Sequence, residues 1–169
     1  MPFAILNGKS NLKFMIQRVQ TIYLLGIVIL SGFVIFSPVA ELMNKVDNLI
    51  YLVNFNGISL LKPTGNILES RTWGLSVISF VIPILALITI FSYKKRVKQI
   101  RLTVINMLFM VVFYIFMALY LWPACERLHA DWHLRIAAVF PLINLILSYL
   151  AIGAIGKDEK LIKSLDRLR

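Results

Sequence analysis

The sequence is short of charged residues and of cysteine. Only 15% of its 169 residues are charged and 59% are hydrophobic, whereas about a quarter of the residues in an ordinary soluble domain are charged. The single cysteine, Cys125, has no second cysteine to pair with, which excludes a disulfide within the chain. Because the apolar residues fall in long blocks, the composition predicts a protein whose solvent is lipid.

Four of these blocks have the length of a helix that crosses a membrane. An α-helix needs about 20 residues to cross a hydrocarbon core of about 30 Å, and lipid disfavours any backbone that leaves its polar groups unpaired. The predicted spans are residues 19–37, 73–93, 102–122 and 134–155. The sequence therefore predicts an all-α membrane protein, a bundle of four transmembrane helices.

The basic residues are divided unevenly between the two sides of this predicted bundle. One side would hold the N-terminus, the connection 94–101 and the tail 157–169, and with them most of the 18 Lys and Arg residues. Since such an excess marks the cytoplasmic side, we expect both termini in the cytoplasm (N-in/C-in). Topology and attraction to anionic lipid account for the net charge of +10, so no nucleic-acid partner is expected.

The first extracytoplasmic loop, residues 38–72, contains the signature of a β-hairpin. Asn56-Gly57 stands between two β-favouring runs and predicts a type I′ turn, with Phe55 opposite Ile58 and Val53 opposite Leu60. A lone hairpin is marginal in water. We therefore expect this small hairpin to cover the bundle as a lid, with an edge for partner docking as the alternative.

The tail has the pattern of an amphipathic helix. Leu161, Ile162, Leu165 and Leu168 fall on one helical face, and charged residues occupy the rest. We expect this segment, residues 157–169, to lie on the cytoplasmic membrane surface, with docking onto a cytoplasmic protein as the alternative.

Two stretches near the ends of the chain form a pair, MIQRVQTIYLL at residues 15–25 and AIGAIGKDEKLIKSLDRLR at residues 151–169. Together with Pro141-Leu142-Ile143, they resemble an uncharacterised family of small four-span inner-membrane proteins from Bacteroidota, classed as a domain of unknown function. The resemblance runs from Met15 onward and implies a topology but no activity. It also implies Met15, as an alternative to Met1, as the start of translation, with residues 1–14 as an extension that we expect to be disordered.

The second extracytoplasmic loop offers a candidate metal site. Cys125, His129 and His133 are spaced four residues apart, and on a helix they would share a face as soft ligands for zinc or copper. Ligands from one short segment rarely complete a site, so we favour the alternative of a polar loop with a free thiol.

None of the predicted spans has an ionisable residue in its middle portion, which argues against a pump or an ion-coupled transporter. The polar residues Thr89, Asn106, Asn144 and Ser148 remain within the spans. We expect them to form hydrogen bonds between helices. The alternative is a polar patch in the inner leaflet that opens to the cytoplasm and binds a lipid head group or a solute.

A further set of polar residues lies at the cytoplasmic ends of the first and last spans and forms a predicted rim. Its members are Gln17, Arg18, Gln20, Thr21, Asp158, Glu159, Ser164, Asp166 and Arg167. Pairing of Arg18 with Asp158 or Glu159 would clamp the two helices together. The rim is equally well explained as a docking face for a partner.

The sequence contains no nucleophile–base pair, glycine-rich phosphate loop or HExxH motif, so it predicts no catalytic residue and no cofactor. We therefore expect a non-enzymatic accessory or scaffold subunit of an inner-membrane complex, in contact with membrane lipids and a membrane-protein partner. The alternative is a small protein that binds or transports a lipid or solute through the polar patch.

Overall fold

The structure, a computed structural model, describes the backbone of residues 3–44, 49–62, 67–93 and 95–166, and the side chains of residues 20–44, 49–62, 67–68, 70–93 and 95–157. The helices in these ranges are α1 (Phe3–Phe36), α2 (Trp73–Phe91), α3 (Arg96–Leu128) and α4 (Phe140–Asp166), and a 3-10 turn, Ile136–Val139, precedes α4. The strands are β1 (Ala40–Asn44), β2 (Leu49–Asn54), β3 (Gly57–Leu60), β4 (Ile67–Arg71) and β5 (Ala130–Leu134).

The four helices pack side by side, α1 against α2 and α4, and α3 against the same two helices. Strands β1 to β4 connect α1 to α2, and β5 connects α3 to the turn before α4. Because neighbouring helices are antiparallel, both connections lie at one end of the bundle, here called the sheet end. The opposite end carries the short connection between α2 and α3, where the Lys95 N–H donates to the Ser92 carbonyl at 3.0 Å.

The buried positions of each helix recur at intervals of three and four residues. On α1 they are Gln20, Leu24, Ile27, Ser31 and Val34. On α3 they begin with Gln99, Thr103, Asn106, Met110, Phe113 and Met117. This spacing keeps one narrow face of each helix inward and is typical of four-helix bundles whose helices cross at about 20°.

The predicted all-α class is wrong, because the described residues include a five-stranded antiparallel sheet in the order β4-β3-β2-β1-β5. Strand β5 pairs with β1 and places Ala40 opposite Leu134. The two predicted loops at this end therefore form a single sheet rather than a hairpin and a polar loop. The inward side chains of the sheet, among them Leu42 and Val53, join the same hydrophobic cluster as the helix interior.

The predicted hairpin is present, but its register differs from the prediction. Val53 lies opposite Ile58, and Asn54 lies opposite Gly57, so the two-residue loop is Phe55-Asn56 rather than Asn56-Gly57. A Cβ at Gly57 would lie 2.2 Å from the carbonyl oxygen of Ser70, so β4 approaches this position too closely for any other residue. The Phe55 carbonyl accepts the Ser76 hydroxyl at 2.5 Å, and the Phe55 ring packs edge-on against Phe80. Contacts with β4 and α2 thus fix the register.

The prediction of four membrane-crossing helices is also wrong. Within the described residues, three helical segments are long and apolar enough to cross a membrane, Trp73–Phe91, Arg96–Leu128 and Ile136–Lys157. The described apolar part of α1, Gln20–Phe36, is shorter than a span requires. The predicted N-in/C-in orientation depends on an even number of crossings, so three candidate spans do not support it.

The ends of the chain also differ from expectation. Helix α1 begins at Phe3, so residues 3–14 are helical, whereas the sequence predicted a disordered extension. Helix α4 continues without a break to Asp166, so the backbone of the tail extends α4 instead of forming a separate helix. The side chains after Lys157 lie outside the described residues, and the predicted amphipathic face of the tail lies there with them.

Candidate functional site

Among the apolar side chains inside the bundle lies a set of buried polar side chains, here called the polar core. Each helix contributes to it, and every member is at most 5% exposed. The members are Gln20 and Ser31 on α1, Ser79 and Thr89 on α2, Gln99, Thr103 and Asn106 on α3, and Asn144 and Ser148 on α4. They lie at the buried positions that recur every three or four residues along each helix. The packing of the helices therefore places them in the interior.

Some members of the polar core are satisfied by hydrogen bonds to their own helix. The hydroxyls of Ser31, Thr89 and Thr103 each donate to the carbonyl four residues earlier, at 2.7 to 2.9 Å. Such bonds let a short hydroxyl side chain sit inside a helix bundle without a partner on another helix. One bond within the polar core joins two helices: the Asn144 amide donates to the Ser31 hydroxyl at 3.1 Å and links α4 to α1.

Other buried oxygen atoms of the polar core have no hydrogen-bond partner among the residues that the structure describes. They are Ser79 Oγ, Gln99 Oε1, Asn106 Oδ1, Asn144 Oδ1 and Ser148 Oγ. Buried polar atoms are nearly always paired with protein or with water, so each of these is a point where a small polar molecule can bind. The groups are neutral amides and hydroxyls, which exchange hydrogen bonds and do not titrate near neutral pH.

All four predicted patch residues lie in this interior: Thr89 and Ser148 are 0% exposed, and Asn106 and Asn144 are 1% exposed. They are closed off from the surface, whereas the alternative interpretation placed them in a patch open to the cytoplasm. Sequence reasoning missed Ser31, Ser79, Gln99 and Thr103. The last two could have been found from Asn106, since they precede it on α3 by seven and three residues.

The exterior of the helices is apolar. Leu108 on α3 is 65% exposed, and Ile146 on α4 is 58% exposed. Other large apolar side chains on the helix exterior are Ile29, Phe33, Val77, Ile84, Val111 and Ile115. A soluble protein rarely exposes so much contiguous apolar surface, whereas lipid favours helices with an apolar exterior.

The three candidate metal ligands do not lie on one helical face. Cys125 lies within α3, His129 ends that helix with a left-handed φ of 46°, and His133 lies on β5. His133 is opposite Glu41 of β1. Among the described residues, no group of three or more His, Cys, Asp or Glu side chains is close enough to hold a metal ion. The helix that would have aligned these ligands ends at Leu128.

The predicted rim falls mostly outside the described side chains. Gln20 is buried in the polar core and Thr21 is exposed. Helices α1 and α4 are neighbours, as the predicted clamp between Arg18 and Asp158 or Glu159 requires. The side chains that would form that clamp, and those of Gln17, Ser164, Asp166 and Arg167, lie outside the described residues.

A second feature lies at the sheet end, where β5 forms one edge of the sheet. Between this strand and the last turns of α3 runs an apolar groove of about 470 Å³. It is lined by Met117, Ala118, Leu121, Trp122, Cys125, Glu126, Trp132 and Leu134. On the side of β5 away from β1, no strand of the described residues pairs with it. The groove and this free strand edge are here called the edge surface.

Hydrogen bonds hold the edge surface in place. The Asn44 side chain of β1 donates to the Leu128 carbonyl at 2.9 Å, which joins the sheet to the end of α3. The Arg135 N–H donates to the Val39 carbonyl at 3.0 Å, and the Arg135 side chain forms an ion pair with Glu41. These contacts hold both ends of strand β5 against the rest of the sheet end.

Comparison with known proteins gives a family but no activity. No curated protein matches the chain. Residues 16–168 match a family described as a domain of unknown function, DUF4293, so the match takes in all four helices and all five strands described above except the first turns of α1. The chain belongs to the DUF4293 family.

Proposed function

We propose that this protein is a multi-pass protein of the bacterial inner membrane that acts as a non-enzymatic accessory or scaffold subunit of a membrane complex. The apolar helix exterior supports the membrane location. The basic residues next to the connection between α2 and α3, Lys95, Arg96, Lys98 and Arg101, support contact of that end with anionic lipid head groups.

The observation that carries the scaffold proposal is the edge surface. An unpaired strand edge presents a row of backbone donors and acceptors, and natural proteins usually cover or interrupt such edges. Here the edge adjoins an apolar groove in which Trp122 and Trp132 are largely exposed. Exposed tryptophan beside a groove is typical of protein interfaces, where aromatic side chains supply most of the binding energy.

The position of the edge surface indicates the kind of partner. The groove follows α3, which is long and apolar enough to cross a membrane, and it ends at a strand of the sheet. A partner that buries both parts needs a membrane helix to pack along α3 and an extended segment to add to β5. We therefore propose another membrane protein as the partner.

The polar core gives less support to the alternative, a protein that binds or transports a lipid or solute. Its side chains are at most 5% exposed, and their hydroxyls and amides lie between tightly packed helices. A lipid head group would need those helices to separate. Hydrogen bonds within the bundle already involve Ser31, Thr89, Thr103 and Asn144 without any such movement.

Site-specific photo-crosslinking in native membranes tests the proposed partner surface. A photoreactive amino acid placed at Ala118 or Leu134, both exposed and both lining the groove, is expected to give one crosslinked species of defined mass. The matched control is Ile84, an exposed position on α2 away from the groove, where no such species is expected.

Two outcomes would contradict the scaffold proposal. The first is equal labelling at all three positions, which would mean that the edge surface has no preferred neighbour. The second is a crosslinked species that contains only this chain, which would make the surface a contact between copies instead of a site for a different subunit.

A further inference from the structure

The interior of the bundle contains a small cavity that all four helices border, with α1, α2 and α4 supplying its polar side chains. Ser31, Ser79 and Asn144 line it, one from each of these helices, together with the apolar side chains Val34, Ile82 and Phe113 and the ring of Pro141. The space available to the centre of a water-sized sphere is about 10 Å³. That is close to the smallest volume that holds one water molecule by this measure, about 10–15 Å³.

The polar atoms around this cavity are not all satisfied by the protein. Ser31 Oγ donates to the Ile27 carbonyl and accepts the Asn144 amide. Asn144 Oδ1 and Ser79 Oγ have no partner among the described residues, although Asn144 is 1% exposed and Ser79 is 3% exposed. One acceptor and one hydroxyl, both deeply buried, thus border a space of the size of one water.

We propose that the cavity is a binding site for one structural water molecule. The water donates to Asn144 Oδ1, and Ser79 Oγ forms its second bond as donor or acceptor. A buried water typically makes two to four hydrogen bonds to groups that the protein leaves unsatisfied. This water would connect α2 to the pair of α1 and α4, which the bond between Asn144 and Ser31 already joins.

Water fits these groups better than a metal cation does. The polar lining consists of two hydroxyls and one amide and contains no carboxylate. A buried cation needs paired charge to offset the loss of its hydration, whereas a neutral water needs only hydrogen bonds. The cavity is also too small for any solute larger than one water molecule.

Whether Ser79→Ala lowers or raises the Tm of the protein tests the proposal. If water bridges Ser79 and Asn144, then Ser79→Ala removes a hydrogen bond and lowers Tm by about 3 °C, as expected for one buried bond in a chain of this size. If no water is bound, the same change removes an unsatisfied buried hydroxyl, and Tm stays the same or rises. Tm is measured by tryptophan fluorescence of the full chain in lipid nanodiscs.

Two further variants and a salt series complete the experiment. In an Asn144→Leu background, Ser79→Ala is expected to have no further effect, because the shared water is already lost. The control Ser37→Ala, at a half-buried serine just after the end of α1, is expected to leave Tm unchanged. A Tm for Ser79→Ala equal to or above that of the unmodified chain would overturn the proposal. So would a Tm that rises in sodium or potassium chloride relative to choline chloride, since that indicates a cation.

Discussion

Val111→Arg is expected to reduce the equilibrium constant for membrane insertion of α3 by roughly a hundredfold. Val111 lies near the middle of the apolar part of α3, and its side chain is 48% exposed on the outer face of the bundle. In a lipid environment, replacing an apolar residue by arginine at the centre of a spanning helix costs about 3 kcal/mol. In water the same change on an exposed helix face would cost almost nothing.

Val97→Arg is the matched control for this prediction. Val97 is 52% exposed on the same helix, but it is the second residue of α3 and stands between Arg96 and Lys98. An arginine there reaches the head groups, so we expect normal membrane integration. The measurement is the fraction of each variant that remains with washed membranes. Equal amounts of the two variants would contradict a lipid-facing exterior on α3.

Gly57→Ala is expected to destabilise the protein by roughly 3 kcal/mol, or about 10 °C in Tm. Gly57 has a φ of 152°, which side-chain-bearing residues rarely adopt. A Cβ there would lie 2.2 Å from the Ser70 carbonyl oxygen and 3.2 Å from the Arg71 Cα, both of them backbone atoms of β4. Since neither can move without breaking the strand pairing, we expect β4 to separate from β3.

Gly153→Ala is the control for that variant. Gly153 lies on α4 with no atom within 4 Å of an added Cβ, so alanine there is expected to leave Tm unchanged or to raise it through better helix propensity. Thermal unfolding of the two variants in nanodiscs provides the comparison. A Gly57→Ala variant as stable as the Gly153→Ala variant would mean that β3 and β4 are not paired as described.

The helices were the most predictable part of the fold, because long apolar runs are a local signal. The predicted second span, residues 73–93, begins at the same residue as α2 and ends two residues beyond it. The sequence could not reveal how far α3 extends past the apolar run, since its last turn carries Glu126 and Arg127 and reads as a polar loop. Contacts with β1 and β5 stabilise that turn.

The sheet was less predictable, because its pairings are not local. Strands β1 and β5 read AELMN and ADWHL, and neither shows the β-branched alternation that marks a strand. They pair although some 90 residues separate them in the sequence. The hairpin register was wrong for a similar reason. The Asn-Gly signal is local, whereas the close approach of Ser70 and the docking of Phe55 on α2 depend on the tertiary structure.

The candidate site was predicted in part. Asn106, Asn144, Thr89 and Ser148 stood out as polar residues in apolar runs, and all four are buried. The presence of four polar residues in the spans could not distinguish a patch open to the cytoplasm from a closed interior, because that depends on how the helices pack. Nothing in the sequence indicated the edge surface, because residues from both α3 and β5 form it. In the sequence, the α3 residues look like the end of a membrane span, and the β5 residues look like a loop.

Alkaline carbonate extraction of native membranes is the most direct measurement of whether lipid surrounds the apolar exterior of this bundle. We expect the protein to stay in the membrane pellet after the carbonate wash and to be released only by detergent, because its helices expose large apolar side chains on their outer faces. Release into the carbonate supernatant would contradict a membrane-integrated bundle and, with it, the proposed role in a membrane complex.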